Sequence, residues 1–301
     1  MKKKLLLIFN PKSGVQKFSQ YFFEVVDKFT AAGFLVTTYP TQSPGEAGEM
    51  IAHHAGEYDY LVCSGGDGTI SQAITALLAL EKRPAFGIIP SGTVNDFAVS
   101  LGIPRDVLLA ADIITTATPR PLDIGRFGSK HFSYVAAFGI FTDVSYSTPQ
   151  NTKNLLGKLA YFLEGIKRFG SAKPAHCEVL LDDEPVSGEF VLGIIANTHS
   201  IAGIKLHTEM GVRMDDGLFE VILVKEPHTL KDRQEIISSL LAQEIKTSLL
   251  TIRKAKKITV TASTAIAWTL DGDFGGEYAQ ITIENLHHAM ELLMPSYSVF
   301  S

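Results

Sequence analysis

The chain has 301 residues, enough for two domains at roughly 100–200 residues each. Hydrophobic residues make up 46% and charged residues 20%, which supplies apolar material for sizeable cores and excludes a disordered or fibrous protein. The formal net charge of -5 argues against non-specific nucleic-acid binding as the main role.

Met1-Lys2-Lys3-Lys4 followed by Leu5–Phe9 imitates a signal peptide, but the apolar run stops at Asn10-Pro11 without a small-residue cleavage site, so it reads as a buried first strand. After the Asn10-Pro11-Lys12-Ser13-Gly14 turn, Phe18, Phe22, Val25 and Phe29 recur at helical spacing, and Gly33 stands where a C-terminal cap belongs. A strand over 34–39 then meets Ser43-Pro44, with Glu46 three residues after the serine. That spacing predicts a capping box with proline at the first helical position. The run Asp59–Cys63 ends in Ser64-Gly65-Gly66-Asp67-Gly68-Thr69, with a helix expected over 70–80. Phe86–Ile89 ends in Pro90-Ser91-Gly92-Thr93-Val94-Asn95-Asp96-Phe97. Short apolar runs alternating with helical patterns require a parallel α/β sheet, and both glycine-rich turns fall at the carboxyl end of a strand, the edge where ligands bind.

Beyond Arg120 the rhythm changes to strands, at 121–127, 131–138, 176–181, 190–196, 218–224, 258–262 and 279–284, with helices near 155–169 and 230–245. Asp182-Asp183-Glu184-Pro185 supplies a hairpin-like turn. The expected architecture is an α/β N-terminal domain (1–122) followed by a mostly antiparallel, β-sandwich-like domain (123–288). The last run, 289–294, either closes the second domain or returns with 289–301 to the first.

Cys63 and Cys177 are the only cysteines, too few for a disulfide framework or a four-ligand zinc site, and a reducing cytosol is the expected compartment. Cys63 reads as an inert core thiol. No segment approaches the roughly 20 apolar residues that span a bilayer, so a membrane role is expected to be peripheral. His53-His54 and His287-His288 lack a carboxylate or cysteine at metal-ligand spacing and read as solvated or packing histidines. Lys2–Lys4 and Arg253–Lys257 read as solvated charge runs, and Trp268 as core or as the wall of an acceptor cleft.

A strand followed by a glycine-rich turn cradles phosphate, because glycine lets backbone N–H groups approach the anion. Gly65–Thr69 lacks the lysine of a Walker A loop, and its spacing misses the dinucleotide-binding fingerprint. Asp67 inside such a turn would repel a nucleotide unless a divalent cation or a polar network offsets its charge, which implies magnesium.

The turns Asn10–Gly14, Gly65–Thr69 and Pro90–Ala98, in this order and spacing, resemble the diacylglycerol kinase catalytic domain shared by bacterial lipid kinases, eukaryotic diacylglycerol kinases, sphingosine kinases and ceramide kinase. The resemblance extends to Met214-Asp215-Asp216-Gly217-Leu218 and Leu270-Asp271-Gly272-Asp273, and is greatest to the stand-alone bacterial enzymes. It implies an ATP- and magnesium-dependent lipid kinase with its nucleotide site in a cleft between the two domains. Nucleotide contacts are implied for Asn10, Pro11, Lys12, Ser13, Gly14, Thr41, Gly65, Gly66, Asp67, Gly68, Thr69, Ser91, Gly92, Thr93, Asn95 and Asp96. Asp67 and Asp96 would join a water network to magnesium. A further metal position maps to Arg213 and Leu218 through backbone carbonyls and to Asp216 through its carboxylate.

The family's Asp-Gly-Glu motif, which supplies the base for the acceptor hydroxyl, is Asp271-Gly272-Asp273 here, one methylene shorter at the third position. Asp273 ranks first as the base and Asp271 second. The resemblance implies a cytoplasmic enzyme, peripheral at the inner membrane surface, acting on a lipid such as diacylglycerol; a homodimer is compatible with the sequence. NAD kinase and sugar kinases share the Gly-Gly-Asp-Gly turn but not Ser-Gly-Thr-x-Asn-Asp-Phe. A nucleotide-binding regulatory protein without catalysis is the remaining alternative.

Overall fold

Consecutive apolar residues at 5–9 can all be buried only if a strand is covered on both faces, as in a parallel sheet sandwiched by helices. The computed structural model describes residues 2–11, 17–93, 95–139, 174–198, 200–201, 204–205, 213–242 and 247–295. The chain divides into two compact units, Met1–Leu122 with His288–Ser301, and Asp123–His287.

In the first unit, β1 (Lys4–Phe9), β2 (Leu35–Pro40), β3 (Tyr60–Gly65) and β4 (Ala85–Pro90) pair in parallel in the order β2-β1-β3-β4. Helices α1 (Lys17–Gln20), α2 (Phe22–Ala31), α3 (Glu46–His54), α4 (Asp67–Leu78), α5 (Asp96–Ser100) and α6 (Val107–Thr116) connect and cover them. Each longer helix buries one stripe: Val25 and Phe29 on α2, Ile70, Ala73, Ile74 and Leu77 on α4, Val107, Ala110, Ala111 and Ile114 on α6. Gly33 (φ +92°) takes the chain out of α2 in a left-handed conformation that a side chain would strain. Asp106 caps α6, accepting from the N–H groups of Leu108 (3.0 Å) and Leu109 (2.9 Å).

The start of the third helix differs from the capping-box expectation. α3 begins at Glu46, not at Pro44, and Gly45 precedes it with φ +90°. The Glu46 carboxylate accepts from the N–H groups of Ser43 (3.0 Å) and Gln42 (2.6 Å), so the glutamate half of the box forms while no side chain caps the helix. With Gly45 in the left-handed region, the 42–45 segment stays a turn and the helix starts after it.

The second unit is antiparallel. Its strands are β5 (Arg120–Phe127, entering from the first unit), β6 (Lys130–Phe132), β7 (Val135–Gly139), β8 (Ala175–Leu181), β9 (Glu184–Ala196), the short β10 (Ser200–Ile201) and β11 (Ile204–Lys205), β12 (Phe219–Lys225), β13 (Leu250–Ala255), β14 (Lys257–Leu270) and β15 (Asp273–Leu293). The order is β13-β12-β9-β7-β14-β15, with β8 against β9 and β14, and β5 against β6 and β15. Helix α7 (Leu230–Ala242) joins β12 to β13. The Trp268 ring lies 5.0 Å from that of Phe127 and 4.8 Å from that of Phe138, centroid to centroid, and Trp268 is fully buried, so it belongs to the core. The helix expected near 155–169 lies outside the described residues.

Two strand expectations change. Leu250–Ala255 is a strand the alternation did not reveal, because its charged residues Arg253 and Lys254 interrupt the pattern. The runs at 258–262 and 279–284 are parts of one long β14–β15 hairpin, whose register shifts after Thr261 and after Trp268 where small residues replace the apolar alternation. The last run returns to the first unit: Leu292 and Leu293 pair in parallel with Phe86 and Gly87. Arg83 fixes that return, its Nη1 donating to the Ala289 carbonyl (2.5 Å) while Nε donates to that of Leu77 (3.1 Å).

Candidate functional site

Parallel register brings the ends of β1, β2, β3 and β4 to one edge: Phe9 lies beside Pro40 and Ser64, and Gly65 beside Pro90. The turns that follow are tied together there. Asn10 N–H donates to the Ser64 carbonyl (3.1 Å), Thr41 N–H to that of Phe9 (2.9 Å), and Ser91 N–H to that of Gly65 (3.0 Å), while the buried Ser64 and Ser91 hydroxyls meet at 3.2 Å. Asn10, Pro11, Thr41, Gly65–Thr69 and Ser91–Thr93 are thus gathered along one sheet edge. Lys12, Ser13 and Gly14 lie outside the described residues.

The two glycine turns touch. A Cβ on Gly92 would stand 2.4 Å from Gly66 Cα, backbone against backbone, so only glycine permits this approach. Gly66 is extended and α4 starts at Asp67 without a side-chain cap, which leaves the helix's first N–H groups and positive dipole end at the edge. That arrangement suits an anion.

The Asp67 carboxylate accepts from Phe97 N–H (3.3 Å) at the start of α5, so it links the two turns. Asp96 opens α5. Asn95 sits in the left-handed region (φ +56°), and its side chain folds back on Gly92, accepting from Gly92 N–H (2.9 Å) and donating to the Gly92 carbonyl (2.7 Å). Its visible work is to hold the second turn in shape.

The second unit carries the other expected residues. Asp271 (φ +51°) and Gly272 (φ +92°) form the two-residue turn joining β14 to β15, with Leu270 opposite Asp273. The Asp271 carboxylate accepts from the N–H groups of Ser133 (2.6 Å), Tyr134 (3.0 Å) and Val135 (3.0 Å). Burial pushes its pKa up to about 6 against those donors, which pull it down. Asp273 is exposed, as is Phe274 beside it.

Between Arg213 and Leu218 the chain makes a tight loop with Gly217 at φ +77°. Asp216 Oδ1 accepts from Leu218 N–H (3.1 Å) and Oδ2 from Lys254 Nζ (2.9 Å); Lys254 also lies 3.5 Å from the buried Glu220, whose carboxyl burial pushes up to about 7. The Arg213 side chain is engaged with Asp215 (2.9 Å), consistent with any role for Arg213 at a cation being through its carbonyl. Two backbone carbonyls and one carboxylate, all oxygen, are donors of the kind a hard divalent cation takes, and such an ion would displace the Lys254 ammonium that Asp216 Oδ2 holds here.

Asp123 was not singled out by sequence and is the hub of this loop. Fully buried, it donates from its N–H to the Met214 carbonyl (2.8 Å), accepts from Gly217 N–H at Oδ2 (2.6 Å), pairs at Oδ1 with His287 Nδ1 (3.0 Å), and receives Asn197 Nδ2 at its carbonyl (2.7 Å). His287 is therefore tied to a buried carboxylate, and Lys254 is part of a half-buried ion-pair cluster rather than a solvated charge run. A signal existed: Asp123 and Glu220 are single acids inside otherwise apolar strand patterns, Leu122-Asp123-Ile124 and Phe219-Glu220-Val221.

Two family descriptions match the chain: the diacylglycerol kinase catalytic domain over residues 4–127, and the YegS C-terminal NAD kinase beta sandwich-like domain over residues 135–294. Diacylglycerol kinase of Bacillus subtilis (strain 168) is 33% identical over 296 residues, covering 97% of each chain. That of Staphylococcus saprophyticus is 33% identical over 298 residues, 98% of this chain and 97% of its own. A crystal structure of a chain from Bacillus anthracis str. Sterne superposes with a TM-score of 0.82 at 26% identity, covering 98% of both. A diacylglycerol kinase structure from the same strain gives 0.76 at 23% identity over 99% of both, and bears on the fold alone.

Proposed function

The chain belongs to the diacylglycerol kinase family, and on that premise we propose that it transfers the γ-phosphoryl group of ATP to the hydroxyl of a lipid of the diacylglycerol class. The observation that carries this reading is the meeting of glycine turns at the carboxyl edge of the parallel sheet, with the uncapped start of α4 among them. The full-length relatives are named for a lipid acceptor, which favours it over NAD or a sugar phosphate.

Phosphoryl transfer needs positioning and charge stabilisation more than covalent chemistry from the protein. Backbone N–H groups of Gly65–Thr69 and Ser91–Thr93 would hold the phosphate oxygens, with Asn95 shaping the second turn and Asp67 tying it to the first. Magnesium, when bound, supplies neutralisation of the triphosphate charge; Asp67 and Asp96 are the carboxylates at the nucleotide edge that would hold it, and Asp216 with the carbonyls of Arg213 and Leu218 would hold a second cation. Asp273 accepts the proton of the acceptor hydroxyl as its oxygen bonds to the γ-phosphorus and the bond to the bridging oxygen of ADP breaks.

Among the described residues no helix is long and apolar enough to cross a membrane. We place the enzyme on the ATP-containing side, working peripherally at the lipid surface. The test is transfer of labelled phosphate from ATP to diacylglycerol in mixed micelles, with NAD and sugar phosphates offered in parallel. Asp273→Asn is expected to lower kcat by about 10²–10⁴ with ATP affinity intact, the usual contribution of a positioned base. Transfer to a soluble acceptor but not to lipid overturns the substrate class, and full activity of the variant overturns the base.

A further inference from the structure

We infer that Asp271 is a positioning residue, which locks the hairpin tip in the place where Asp273 serves as the base; this rests on the reading of Asp273 given above.

An ionised carboxylate offers about four lone-pair sites. At Asp271 they are occupied from one short stretch of chain: Oδ2 receives Ser133 N–H at 2.6 Å, Oδ1 receives both Tyr134 N–H and Val135 N–H at 3.0 Å, and the Ser133 side chain adds a further bond to the carboxylate. A group so engaged cannot take a substrate proton without releasing the backbone it holds. The neighbouring bonds serve the same end. Asp271 N–H donates to the Val135 carbonyl (2.8 Å), and the Tyr134 hydroxyl donates to the Asp271 carbonyl (3.1 Å), so the tip is sewn to residues 133–135 through side chain and main chain alike.

The tip needs such fastening. Asp271 at φ +51° lies in a region unfavourable to a residue with a Cβ, and surrounding bonds must hold it there. Asp273 follows two residues later as the first residue of β15, exposed and fixed in register opposite Leu270. Its side chain is one methylene shorter than glutamate, so its reach depends on where the hairpin is set. A displacement of about 1 Å at such a group is enough to cost about 10²-fold.

The experiment is a double-mutant cycle in kcat on the full chain, with Asp271→Asn, Asp273→Asn and the pair. Asparagine at 271 turns an NH₂ group toward backbone N–H donors and so breaks the clamp. Asp271→Asn is expected to lower kcat about 10–100-fold and to leave the KM for ATP within twofold. In the Asp273→Asn background it should add less than twofold, because it acts through Asp273. Tyr134→Phe, which removes one bond and no charge, should show the same kcat-only pattern at about 2–5-fold, and covers the case in which Asp271→Asn does not fold. An equal loss in both backgrounds, or no loss in the single variant, overturns the inference. A loss in Asp271→Asn larger than that in Asp273→Asn overturns it in favour of Asp271 as the base. An Asp273→Asn variant with wild-type kcat is a separate result: it removes the base reading itself, and the inference falls with it.

Discussion

Gly68 is the second residue of α4, exposed, outside the left-handed region, with no atom within 4 Å of an added Cβ. In the protein alone, nothing there needs glycine. Alanine should stabilise the helix by about 0.5–1 kcal/mol, through the smaller entropy of the unfolded chain and better helix propensity, which raises the melting temperature by about 1–4 °C. A bound triphosphate changes the sign. The Gly68 N–H belongs to the first turn, whose donors have no intrahelical partner, and a charged oxygen resting on it gains about 1.5–3 kcal/mol. A methyl group that keeps that oxygen away should forfeit most of this, a rise in the KM for ATP of about 10–150-fold at 1.4 kcal/mol per tenfold. Gly68→Ala is therefore expected to melt higher and bind ATP worse. Thermal unfolding and initial rates against ATP at saturating lipid check both halves. A variant that gains stability and keeps its KM for ATP within twofold shows that the phosphates do not rest on this helix start.

Gly92→Ala should act in the opposite way on stability: with Cβ 2.4 Å from Gly66 Cα and 2.8 Å from Asn95 Oδ1, the two turns must part. A loss of about 1–3 kcal/mol in denaturant unfolding and about 10²-fold in kcat/KM for ATP is expected, and normal values of both reject the close approach. Asp271 makes a pH prediction. Its folded pKa of about 6 lies above the ordinary 3.8, so the folded state holds this proton more tightly than the unfolded chain. The contribution is full below pH 4 and is lost as the pH rises through 6, by up to about 3 kcal/mol. The difference in unfolding free energy between wild type and Asp271→Asn should change across this window, and a constant difference from pH 4 to 7 contradicts the burial cost.

The carboxyl edge of the parallel sheet was legible because it is built from local patterns. Runs such as Leu5–Phe9 and Phe86–Ile89 announce strands covered on both faces, the 3.6-residue recurrence of Phe22, Val25 and Phe29 announces a covering helix, and a glycine turn directly after a strand can only lie at the sheet's carboxyl edge. What failed was also local: Leu250–Ala255 and the 263–278 stretch carry charges or small residues where alternation would mark a strand, and pairing with neighbours overrode weak propensity.

Periodicity therefore determined the two-part α/β and β architecture, and the order and spacing of the motifs carried the resemblance to the family. Tertiary structure decided which charged residues act together. Asp271 ranked close behind Asp273 as the base, and only the structure shows that Ser133–Val135, about 137 positions away, fill its lone pairs. Asp123 meets Gly217 and His287, and Lys254 meets Asp216, across separations of 38 to 164 residues. Periodicity reports which face of an element is buried. A buried charge shows in a sequence only as an exception to that pattern, and its partner is set by strand register, which no stretch of sequence around it contains.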